Sequence, residues 1–260
     1  MKTVRKQLVW ELEDPYVSLI FIFSFILLAV TFYTELFKIN TAFMPMGLNR
    51  ATVDYYGAKT LATLFPGLSK EAFVVFSFTG VILASFLMRY DRDTGVARSV
   101  YSLPMRNYEG VLAKFLAVFI VLFISAFSAA FFAYLYAYGD SPRMIVRGLF
   151  GQRYFLLHLL YWFEATFYVS SVSSLIALLC PTTFASILGG IAVMYVPGVL
   201  GWGFLPPDVL NSALIKAYFL FGEPGERVST FFNRTFYAGL FLPLVAISLA
   251  LIISEWRDVA

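Results

Sequence analysis

The sequence predicts an all-α integral membrane protein with six transmembrane helices, an N-terminal amphipathic helix in the interface, and a charged helical element between spans two and three. Three observations carry this. Apolar residues make up 60% of the chain and charged ones 13%, against about 45–50% and 25% in soluble domains. Several apolar runs reach the roughly 20 residues that cross a bilayer. The run SLIFIFSFILLAV from Ser18 lacks the every-second-residue alternation of a barrel strand, and lipid permits only helices or closed barrels, since every backbone polar group must be satisfied internally.

Cys180 and His158 are each the single residue of their type, which excludes an intramolecular disulfide and a histidine-based metal cluster within the chain. The formal charge is +3. With no long polar stretch to grip a polyanion, nucleic acid is not an expected partner. Lys2, Arg5 and Lys6 precede the first apolar run, as in a secretory signal. That run is too long, however, and ends in Glu35-Leu36-Phe37-Lys38 instead of a small-residue cleavage site, so it reads as a retained span.

Residues 1–260 read as one transmembrane domain. At 100° per residue, Met1, Val4, Leu8, Leu12 and Val9 share one arc of residues 1–14, and Lys2, Lys6, Glu13, Asp14 and Glu11 lie opposite. This is the pattern of a helix lying in the interface plane. Asp14-Pro15 breaks it, because proline disfavours helix in the residue before it and has no N–H. Spans follow at about 16–36, 72–88, 111–136, 155–179, 183–199 and 237–253. Residues 38–70 and 139–153 read as polar links, and 201–234 as an external segment in which 213–221 is apolar but too short to cross. Cys180-Pro181-Thr182-Thr183 is a tight turn, with Pro181 suited to the first turn of the next helix. Gly189, Gly190, Pro197 and Gly198 are expected to loosen the far end of that helix.

Orientation follows from basic residues near span ends in short loops. Lys2, Arg5, Lys6, Arg89, Arg92, Arg98, Arg106, Lys114 and Arg257 fall on one side in compact segments. This puts both termini in the cytoplasm of a multi-pass cell-membrane protein.

The most charged segment, 89–110, leads directly into the third span. From residue 91 it reads DRDTGVARSVYSLPMRNYEGVLAK. Two carboxylates flank an arginine, Pro104 ends a short helical run at Leu103, and Glu109 suits the start of the next helix. A plain connector is usually shorter.

This segment resembles the intracellular coupling loop of ABC-2 type transporter permeases. The family's acidic-basic-acidic group, Gly-Thr, Leu-rich turn with Ser-x-Pro, basic-acidic turn and Gly-Lys are matched by Asp91-Arg92-Asp93, Gly95-Val96, Val100-Tyr101-Ser102-Leu103-Pro104, residues 106–109 and Ala113-Lys114. Asp replaces the usual Glu, Val96 the threonine and Ala113 the glycine. The N-terminal helix ending in Asp-Pro and the tight turn between spans four and five also match. The resemblance implies a permease subunit of an ATP-driven exporter, dimeric with a second copy or a paralogue. Asp91, Arg92, Asp93, Gly95, Arg98, Ser102, Pro104, Arg106, Glu109 and Lys114 would then face a cytosolic ATPase subunit that holds the ATP and Mg. The chain itself offers only Gly57-Ala58-Lys59-Thr60, which lacks the glycines of a phosphate loop. No cofactor and no catalytic residue is therefore expected in it.

Glu164 lies near the middle of span four, where a charged side chain costs at least about 2.5 kcal/mol. Tyr161, Glu164, Tyr168 and Ser171 share one stripe at helical spacing. They read either as a substrate-facing or gating seam or as hydrogen-bonded glue between helices. Ser170, Ser171, Ser173 and Ser174 suit close helix approach. An integral membrane enzyme using Glu164 and His158, or a membrane anchor or assembly factor, stand as alternatives to the permease.

Overall fold

Asp14 closes one helix and opens the next. Its Oδ1 accepts a hydrogen bond from the Tyr16 N–H at 2.8 Å, and Pro15 takes the first helical position, where its missing N–H costs nothing. In the computed structural model α1 is Lys2–Leu12 and α2 is Pro15–Phe43, the latter running about two turns past the expected end. The structure describes residues 2–43, 70–90, 93–94, 106–138, 155–202 and 236–256, and most of the expected links at 38–70, 139–153 and 201–234 lies outside these.

The remaining helices are α3, Lys70–Ser85; α4, Asn107–Tyr138; α5, Phe155–Leu179; α6, Thr183–Val199; and α7, Leu242–Trp256. A π turn, Phe86–Tyr90, continues α3, and a second, Tyr237–Phe241, opens α7. Every regular element among the described residues is helical. Five stretches are long and apolar enough to cross a membrane: Pro15–Thr34, Phe73–Tyr90, Asn107–Ala133, Trp162–Leu179 and Tyr237–Glu255. α6 has the expected bounds and is apolar, but its 17 residues make it shorter than these.

The ends of α6 explain why it stops where it does. The Thr182 hydroxyl accepts from the Ala185 N–H at 3.2 Å, so Thr182 is the N-cap and Pro181 lies before the helix instead of in its first turn. At the far end the Gly201 N–H reaches the Gly198 carbonyl and the Trp202 N–H reaches the Pro197 carbonyl. Gly201 has φ +70°, the left-handed conformation that glycine adopts without steric cost. Pro197 is therefore accommodated inside the last turn and does not end the helix.

α5 packs against α3, α4, α6 and α7, while α2 and α4 form the most extensive pair. Small residues permit these contacts. A Cβ on Gly80 would lie 2.5 Å from Cγ1 of Val169, and one on Gly190 would lie 2.5 Å from Cγ1 of Val81. Gly190 thus tightens the α3–α6 contact and does not loosen α6, the reverse of the sequence-based expectation. Hydroxyls add to the same contact: Ser77 Oγ lies 2.9 Å from Tyr195 Oη, and Ser85 Oγ lies 2.7 Å from Ser186 Oγ. Between α4 and α5, Phe119 packs edge-on against Phe163 and Phe167. The core around Trp162, Val169 and Leu122 lies between α2, α3, α4 and α5.

Candidate functional site

The charged segment between α3 and α4 is anchored at both ends. At its start, Asp93 Oδ2 accepts from the Thr183 N–H at 2.7 Å and from its hydroxyl at 2.6 Å. The first N–H groups of a helix have no partner within the helix, and its N-terminus carries partial positive charge, so a carboxylate there is favourable twice over. Arg89 Nε sits 3.6 Å from Asp93 Oδ1, and the Arg89 guanidinium donates to the Pro181 carbonyl. The turn between α5 and α6 is thereby tied to residues that are 90 or more positions earlier.

At its other end, exposed Arg106 precedes α4, and Glu109 occupies the first turn, as the macrodipole favours. The Tyr108 N–H points at Glu255 Oε1 across 3.5 Å, from the end of α7. Lys114 departs from expectation. It is 7% exposed, its Nζ donating to the Leu87 carbonyl at 2.6 Å and lying 3.8 Å from Glu11 Oε1. It therefore works inside the bundle, whereas the family resemblance placed it with residues facing a partner. Asp91, Arg92, Gly95, Arg98, Ser102 and Pro104 lie outside the described residues.

Glu11 corrects the helical projection. It is 3% exposed and Gln7 is buried beside it, while Val9 and Trp10 stand out at 46% and 49%. Gln7 Nε2 donates to Glu11 Oε1 at 2.7 Å. The polar arc turned partly inward because Lys114 supplies a buried counter-charge, and an ion lacking such a partner is costly in a low-dielectric interior. The signal for this was a lysine early in a span, which needed a partner.

The second group is the seam on α5. Glu164, Tyr168 and Ser171 are all buried, with Glu164 5% exposed. The side chain of Tyr161 lies outside the described ones. The buried Glu164, Tyr168 and Ser171 therefore face neighbouring helices. Glu164 meets the π turn that opens α7: a Cβ on Gly239 would lie 2.5 Å from Glu164 Cβ and 2.8 Å from its Oε2. π turns concentrate at functional positions and have no sequence signature to reveal them. His158 and Glu164 are six residues apart on α5, about 9 Å along its axis and not on one face. Among the described residues no three of His, Cys, Asp or Glu are grouped to hold a metal. Ser170 bonds back to the Thr166 carbonyl on its own helix, the local satisfaction expected of serine among apolar neighbours.

Compared with protein-family models, with curated proteins and with solved structures, the chain matches none.

Proposed function

We propose that this chain is the membrane-spanning permease subunit of an ATP-driven exporter of the ABC-2 kind. In this reading it has six spans, α6 included, and cytoplasmic termini. α1 lies in the interface, and residues 89–110 form a coupling element that docks on a cytosolic ATPase. Nucleotide and Mg belong to that partner, and a second permease, a copy or a paralogue, completes the pathway. The cargo is hydrophobic or amphipathic.

The observation that carries this reading is the pair of hydrogen bonds that Thr183 donates to Asp93. A solvated connector has no need to grip the head of a helix 90 residues later. An element that must pass displacement into the bundle does, since coupling travels through contiguous contacts between rigid parts. The pair sits where the segment leaves the π turn, so a push on the segment reaches α6 directly. Through the α3–α6 contact at Gly190 it reaches the core. The seam at Glu164 lies deeper, where α5 meets α7, and is the place at which a moving bundle would open a polar path.

The test is affinity purification of the tagged chain from native membranes in mild detergent. A soluble polypeptide with a phosphate-binding loop, hydrolysing ATP in the complex, is the expected companion. A chain that purifies without any ATPase, under conditions that retain other membrane assemblies, would refute the reading.

A further inference from the structure

The polar contacts at the α1 end form a path from the first helix to α6, with the π turn in the middle. α1 presents Gln7 and Glu11 inward, and Glu11 Oε1 takes the Gln7 amide at 2.7 Å and faces Lys114 Nζ at 3.8 Å. Lys114 donates to the Leu87 carbonyl at 2.6 Å. Leu87 is the second residue of the π turn Phe86–Tyr90. Its side chain packs in the same apolar cluster as Leu8 and Leu12 of α1. α1 therefore reaches the main-chain oxygen of Leu87 by way of Lys114. Two residues on, Arg89 reaches Asp93 and the Pro181 carbonyl, and Asp93 holds Thr183.

A π turn is a wide turn set into an α-helical ladder, and its hydrogen bonds are less regular than those on either side. A carbonyl has two lone pairs, so a buried ammonium can hold such a turn open by bonding to one of its oxygens. Lys114 is placed to do this, and its charge is tolerated there because Glu11 lies beside it.

We propose that Glu11 and Lys114 form a latch through which α1 sets the state of the π turn Phe86–Tyr90 and so the start of α6. Lys114 is a positioning residue: it acts on the backbone of the turn and touches no cargo. Withdrawal of α1 takes Glu11 from Lys114 and weakens the hold of Lys114 on the Leu87 carbonyl. The turn then relaxes toward regular helix and rotates Arg89 away from Pro181 and Asp93. The inference goes beyond the transport reading, because it concerns how this bundle is held and not what it moves.

Hydrogen–deuterium exchange on the full chain in lipid nanodiscs tests it. The segments to follow are residues 83–94 and 180–187, with 162–172 as an internal reference. Lys114→Met removes the charge at similar volume. It is expected to raise exchange about tenfold in both segments, as for loss of a hydrogen bond to a charged group, and to leave 162–172 unchanged. Glu11→Gln is expected to shift both segments in the same direction by less, and Lys114→Arg to restore most of the protection. Faster exchange confined to α1 and the start of α4 would overturn the latch, since local loosening alone predicts that pattern. Unchanged exchange at 180–187 in both variants would overturn it as well. If Lys114→Met does not reach the membrane folded, Glu11→Gln decides alone by the same two segments.

Discussion

Asp93 and Thr183 are joined twice through one oxygen, Oδ2 accepting from the Thr183 N–H at 2.7 Å and from its hydroxyl at 2.6 Å. The contact caps a helix with a residue from a distant segment, while Thr182 supplies the local cap to Ala185. Removing an N-terminal cap costs about 1 kcal/mol, and charge assistance adds to it. Asp93→Ala should therefore lower the thermal unfolding temperature of the detergent-solubilised chain by a few degrees. Thr183→Val should cost less, because the N–H bond survives. An Asp93→Ala variant that melts with the wild type would remove the structural basis for coupling to α6.

The glycine contacts predict a pairwise effect. Gly80→Ala sets a methyl 2.5 Å from Cγ1 of Val169, and such overpacking typically costs about 1–3 kcal/mol. Combining it with Val169→Ala frees that space, so the double variant should be more stable than the sum of the single effects allows. Simple additivity in thermal unfolding would mean that α3 and α5 do not meet at this pair.

Glu164 and Gly239 give a second pair of the same kind. Gly239→Ala brings a methyl against Glu164 Cβ and Oε2, and should reduce the yield of monodisperse protein. Glu164→Gly in the same chain removes that Cβ and should recover part of it. Glu164→Gln keeps the shape and should preserve assembly. If the seam serves transport, that variant should change substrate stimulation of ATP hydrolysis while leaving basal hydrolysis intact. If Glu164 is only glue, Glu164→Leu should loosen the α5–α7 packing and Gln should be silent. Normal assembly and transport in the Leu variant would exclude both roles.

Topology has its own test. With Cys180 replaced by serine, a cysteine at Ser212 should react with a membrane-impermeant maleimide added outside intact cells. One at Gly225 should react faster if the apolar stretch 213–221 dips toward the bilayer. Labelling only after the cytoplasmic side is opened would invert the orientation.

The helices were legible in the sequence where apolar runs met strong punctuation. Asp14-Pro15 and the turn at Cys180 to Thr183 fixed starts and stops within a residue or two, since capping and proline chemistry are local. What depended on partners far along the chain was not legible. Glu11 looked like a solvent-facing acid because the projection sorted residues by polarity, as water would. In the folded bundle Lys114 draws it inward, and Val9 and Trp10 face outward. Asp93 was singled out for its charge, but its partner at position 183 could not be read from spacing. The π turns at 86–90 and 237–241 follow from packing and carry no residue pattern. Gly190 carries the signature of a flexible point in sequence, whereas in the fold its missing side chain permits close contact with Val81.

The claim that residues 89–110 are a docking element for an ATPase is tested most directly by reversing charge within it. The chain carrying both Arg92→Glu and Arg98→Glu should insert and fold, with thermal unfolding and exchange in residues 162–172 as in the wild type. Purified side by side under the conditions that recover the wild-type complex, it should lose the soluble ATPase and the associated hydrolysis. Undiminished co-purification of an active ATPase with the double variant would contradict the claim.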